Sequence, residues 1–205
     1  MNLYTIELFL HVSGAIGAFV CLGIWLFGLS ALRRAQRVEQ VRAIAWLIII
    51  ASPLMVFSVV LIVLGGFYMA LSTWGLQTPW IAVALVSFLL MAPVGPFVLA
   101  ARMYAILAKA GEEPDGSLSA ELNRRIHDPI MGTAAQTLAT VLLGIVFLMT
   151  NKPPLANSII VMVIAFLLGL LSGLPFWLRA RRAKHAPASG NEDPFLKKTI
   201  WTRRW

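Results

Sequence analysis

The chain is short of almost everything a soluble enzyme uses. Its single cysteine, Cys21, excludes an internal disulfide and any cysteine-built metal site. Only three histidines and nine acidic residues occur in 205 positions, and charged residues make up 13%. No phosphate loop, zinc-protease helix, dinucleotide fingerprint or nucleophile elbow is present, so soluble-enzyme chemistry has no support. Neither end carries a lipidation motif. No Lys or Arg precedes the first apolar run, and Glu7 lies inside it, which predicts an uncleaved first span rather than a signal peptide.

What the chain has in abundance is hydrocarbon. Apolar residues make up 59%, and several runs are long enough to cross about 30 Å of bilayer at about 1.5 Å per residue. The prediction is an all-α, polytopic bundle of five transmembrane helices. The spans run over 4–32, 44–71, 80–107, 130–150 and 155–178. Together they form one domain, 1–178, followed by a basic tail, 179–205. Pro53 should kink the second span, with Ser52 or neighbouring helices re-satisfying the freed carbonyl. Pro93-Val94-Gly95-Pro96 should bend or partly unwind the third. Such a break is either a packing kink or a place where backbone carbonyls meet a substrate or ion.

The connectors carry their own signals. Trp74 and Trp80 flank an uncharged turn and read as an interfacial aromatic belt. Residues 117–126 suit a short surface helix, and Asp128 suits the N-cap of the fourth span, with Pro129 at its first position. Gly169 and Gly173 form a small-residue face fit for close helix packing. Pro175 is tolerable near the inner end of the fifth span, as Pro53 is in the second.

Charge decides the threading. A net charge of +8 suggests nucleic acid in a soluble protein, but here the cations sit beside apolar spans, so the lipid bilayer is the partner and nucleic acid is not. Arg33, Arg34, Arg37 and Arg42 follow the first span; Arg102, Lys109, Arg124 and Arg125 follow the third; eight more lie in the tail. Only Lys152 falls on the other side, a split of sixteen to one. The positive-inside rule therefore predicts an N-terminus outside and a cytoplasmic C-terminus, in a bacterial inner membrane. The final FLKKTIWTRRW suits a layer of anionic lipids, or else a solvated tail.

Chemistry hangs on Glu7 and His11, four residues apart and so on one helical face. The face continues through the small residues Gly14, Ala18 and Cys21 toward Trp25, which turns it toward the bundle. Three uses fit an ionisable pair at membrane depth. His11 could ligate a metal or a haem iron with Glu7 orienting its other nitrogen, the pair could pass protons, or His11 could bond a neighbouring helix. His127 and His185 fall on the opposite side and cannot join it. A second ligand would be a methionine, a lysine or a neighbouring subunit, and Met69 is placed best by depth; Met91 and Met149 follow. Gln136 and Thr140, four apart in the fourth span, read as helix glue, and Arg102 reads as snorkelling to phosphates.

These residues carry a resemblance. The segment Leu10-His11-Val12-Ser13-Gly14-Ala15, continuing to Leu22-Gly23, resembles small bacterial membrane proteins of the DUF2269 type. So do the connector from Glu121 through Arg124 and Arg125 to Pro129 and the segment from Leu143 to Pro153. That family implies no known activity. A more distant similarity, on the first-span histidine and its small neighbours alone, is to the copper-resistance D-like proteins and the membrane protoporphyrinogen oxidases. In the oxidases that histidine resembles a haem ligand, which carries over to His11 only. Their basic residue within a later span has no counterpart here.

Three functional readings result. One is a small membrane protein with a polar Glu7/His11 site that binds haem b or copper. The second is a permease-like subunit using the Pro93–Pro96 break. The third is a structural partner, in a homo-oligomer or a larger membrane complex, using the Gly169/Gly173 face and the tail.

Overall fold

The computed structural model describes residues 2–185, with side chains to Leu178. The sequence expectations for the rest of the tail, including FLKKTIWTRRW, lie outside the described residues. Among the described residues helices are joined by short turns, with one isolated bridge between Arg37 and Ser117, and five helical stretches are long and apolar enough to cross a membrane.

α1 (Leu3–Leu32) starts at Asn2, whose Oδ1 accepts the Thr5 amide at 2.9 Å. The second span is two helices in line, α2 (Val38–Ile50) and α3 (Ser52–Met69), ending in a widened π turn at Ala70–Trp74. The break at Ala51 is where Pro53 predicts it. Ser52 Oγ donates to the Ile48 carbonyl at 3.3 Å, one residue short of the Ile49 carbonyl that the missing Pro53 N–H leaves free, so Ser52 supports the break without re-satisfying that carbonyl. The third span is likewise broken. α4 (Pro79–Met91) and α5 (Ala101–Glu112) are joined through Pro93 and a π stretch, Val94–Ala100.

α6 (Ala120–Ile126) is the short connector helix, capped by Ser119 Oγ accepting the Leu122 amide at 3.1 Å. α7 (Pro129–Asn151) begins as its sequence predicts, with Asp128 Oδ1 accepting the Ile130 amide at 2.9 Å. α8 starts at Leu155; its apolar part ends at Leu178 as expected, but its backbone continues helical to His185.

Two apolar clusters hold the bundle. One, at the end carrying the basic connectors, joins Trp25, Leu29, Ile48, Met103, Ile106, Ile126 and Met131. The connectors are tied there by Arg42, whose Nε donates to the Ala110 carbonyl at 2.7 Å and whose Nη1 meets Asp115 at 2.6 Å. The other, at the N-terminal end of α1, joins Ala70, Trp80, Ile81, Val141, Leu148 and Met162. At that end Trp74 and Trp80 meet edge to face, centroids 5.7 Å apart, and Lys152 lies 4.2 Å over Trp74.

Close approach is the work of small residues. α1 and α3 run side by side with Gly14 against the Ser58 carbonyl and Gly17 against the Ser58 side chain. α7 and α8 meet where Gly169 and Gly173 face Thr137, Thr140 and Thr133. That glycine face, one of two features read as suited to a partner, is therefore used inside the chain by α7. Large apolar side chains such as Phe9, Phe27 and Phe97 point away from the bundle, as a lipid-facing surface requires.

Candidate functional site

The first-span face turns inward as its small residues predict: Gly14, Ala18, Cys21 and Trp25 are all buried. His11 and Glu7, at its open end, are half-buried. Opposite them α3 offers Gly65 and Gly66, the only side-chain-free positions in its C-terminal half. The imidazole occupies the notch they leave. A Cβ on Gly66 would lie 2.9 Å from His11 Cε1, and one on Gly65 would lie 2.8 Å from the Glu7 carbonyl oxygen.

His11 Nδ1 lies 2.8 Å from the carbonyl oxygen of Ile62. A carbonyl only accepts, so Nδ1 carries a proton, and the tautomer this bond favours is the one that leaves the lone pair on Nε2. The orienting role read for Glu7 is thus performed by a backbone carbonyl one turn of α3 away. Glu7 makes no side-chain hydrogen bond or ion pair among the described residues. The i,i+4 spacing would let the two side chains meet, but the His11 ring is turned onto α3, with Nδ1 on the Ile62 carbonyl and Cε1 against Gly66.

Met69 is buried one turn beyond Gly65 on α3, at the level of the first turns of α1. His127 lies at the opposite end of the bundle, where its Nδ1 is 2.9 Å from the Asn123 carbonyl of its own helix. No three His, Cys, Asp or Glu residues gather in a metal-holding group among the described residues. Cys21 is buried, with Sγ 3.8 Å from the Ala51 carbonyl.

The remaining polar residues of the spans are divided between packing and the basic end. Thr140 bonds back to the Gln136 carbonyl and packs on Gly169, while Gln136 itself lines a cleft at the basic end. Arg102 has a protein partner that its position in sequence does not reveal: its Nε meets Asp128 Oδ2 at 2.9 Å. Snorkelling to phosphates is therefore not its whole role. Asp128 serves twice, as cap of α7 and as counter-ion of Arg102.

A family model described as a predicted integral membrane protein, DUF2269, matches residues 5–153. The chain belongs to this family. No curated protein and no solved structure matches it. The DUF2269 region takes in the first four spans with His11, its glycine notch and the Arg102–Asp128 pair, and leaves α8 outside. As a family of integral membrane proteins DUF2269 agrees with the five apolar spans, and the description assigns no reaction.

Proposed function

We propose that this DUF2269 protein is a multi-pass protein of the bacterial inner membrane, N-terminus outside, that uses His11 as a single-histidine ligand in the outer half of the bundle. The observation that carries the reading is the bond from Nδ1 to the Ile62 carbonyl. It fixes the tautomer and orientation of the ring and leaves Nε2 as the electron-pair donor, the arrangement by which proteins present an imidazole to a metal. The bond by itself makes His11 a pin between α1 and α3; ligation by Nε2 is the further content of the proposal.

The donor set selects the guest. One imidazole, with the thioether of Met69 as the second donor, fits a haem iron or copper(I) and does not fit zinc, which takes three or four protein ligands. Either centre would supply one-electron exchange. Glu7, one turn nearer the outside, places a carboxylate beside the site for an arriving cation or proton. The experiment is retention: full-length protein loaded with haem b or copper(I) and passed over a desalting column should keep one equivalent. His11→Ala should lose it, His127→Ala should keep it, and Met69→Leu should weaken it. Equal retention by wild type and His11→Ala contradicts the proposal.

A second reading attaches to the third span. The Pro93–Pro96 break opens into the π stretch Val94–Ala100, and such turns leave backbone carbonyls without their usual helical donors. A permease-like path would use those carbonyls. It requires that Pro93→Ala and Pro96→Ala abolish flux in vesicles while the protein still inserts.

A further inference from the structure

We propose that the cleft at the basic end of the bundle binds the phosphate headgroup of an acidic phospholipid, at a site apart from His11 and built from residues 26–177. The cleft has a volume of about 1060 Å³ and lies among the end of α1, α6, the start of α7 and α8. Its rim carries Arg34, Arg124 and Arg125, with Arg33 deeper. Among the described residues Asp128 is the only carboxylate in its lining, and it is already engaged by Arg102 and by the first turn of α7. The field in the cleft is therefore positive.

The cations are not all committed. Arg125 is held by Glu121 at 2.6 Å, and Arg33 stacks 4.0 Å over Phe176 while donating to the Asp128 carbonyl at 3.2 Å. Arg34 and Arg124 are exposed, and neither side chain makes a hydrogen bond or ion pair within the described residues. Away from the arginines the lining is largely apolar, with Leu26, Leu29, Phe176 and Trp177 beside Ser30 and Gln136. An anion-binding rim over an apolar floor matches an amphiphile whose phosphate sits at the arginines and whose chain follows α1 and α8 into the bilayer. Basic pockets between helix ends are the usual seat of anionic headgroups. A soluble phosphate would use only the rim and leave that floor in water, so the lipid is the occupant.

The test is native mass spectrometry of the full chain in detergent, titrated with phosphatidylglycerol or phosphatidylcholine. We expect tighter binding of phosphatidylglycerol, weakened about twenty-five-fold by Arg34→Gln with Arg124→Gln, at roughly fivefold per cation. A charge-matched control, Arg37→Gln with Lys109→Gln, removes two cations of the same end outside the cleft and should change binding less than threefold. So should replacing Lys197, Lys198, Arg203 and Arg204 with Gln. Equal loss in either control, no preference between the two lipids, or displacement of the lipid by millimolar inorganic phosphate overturns the proposal.

Discussion

The contact between α1 and α3 rests on two adjacent glycines that do different work, and their alanine variants should separate. At Gly65 the new methyl would meet backbone: the Glu7 carbonyl at 2.8 Å and the His11 amide nitrogen at 3.3 Å. Backbone in a helix cannot rotate aside, so α1 and α3 must move apart by several tenths of an ångström. Overpacking of this kind costs about 1–3 kcal/mol. The separation also stretches the bond from His11 to Ile62, worth about 0.6 kcal/mol for an average interhelical bond in a membrane. Alanine returns up to about 1 kcal/mol of helix propensity, which leaves a net loss of about 1–3 kcal/mol. At Gly66 the obstacle is the imidazole, Cε1 at 2.9 Å and Nδ1 at 3.0 Å, a side chain that can swing away. Gly66→Ala should therefore cost about 1 kcal/mol or less while breaking the His11 bond. Gly23, with nothing within 4 Å of its added Cβ, is the control and should be neutral or slightly stabilising as alanine. Unfolding in SDS and mixed micelles, followed by circular dichroism, ranks the three. If Gly65→Ala is as stable as Gly23→Ala, the close approach of α1 and α3 is wrong.

Three further outcomes follow from the same geometry. Asp128→Ala removes a cap and an ion pair together and should cost about 1–2 kcal/mol, whereas Arg102→Ala, losing a partly exposed pair and a long bond to the Val98 carbonyl, should cost less than about 1 kcal/mol; the same unfolding assay compares them. Gly169→Ala drives a methyl to 2.5 Å from the Thr137 Cα and should destabilise the α7–α8 pair by about 1–3 kcal/mol, read as a lowered melting temperature in micelles. A reporter fused after Trp205 should be active only in the cytoplasm, and activity on the outer side refutes the orientation read from the charges.

The spans were legible because a long uncharged run can satisfy its backbone in lipid only as a helix, whatever its neighbours. Pro53 and Asp128-Pro129 were legible for a similar reason: each acts through its own backbone and the adjacent turn. His11 was half legible. Its depth and its face follow from spacing, but its acceptor is a main-chain carbonyl on α3, and a carbonyl leaves no mark in sequence; only Gly65-Gly66 hints at where the ring fits. The Arg102–Asp128 pair was missed because its members lie on different elements and each has a sufficient local explanation, snorkelling and capping. Gly169 and Gly173 announced close packing, but small residues do not say which helix they receive, and α7 fills them.

If His11 is a ligand as well as a pin, the absorption spectrum and copper content of the full chain as purified from membranes will show it. A Soret band or one equivalent of copper is expected, absent from a His11→Ala protein that still folds. A colourless, copper-free wild type that gains neither on loading would leave His11 as the pin between α1 and α3 and contradict the ligand role.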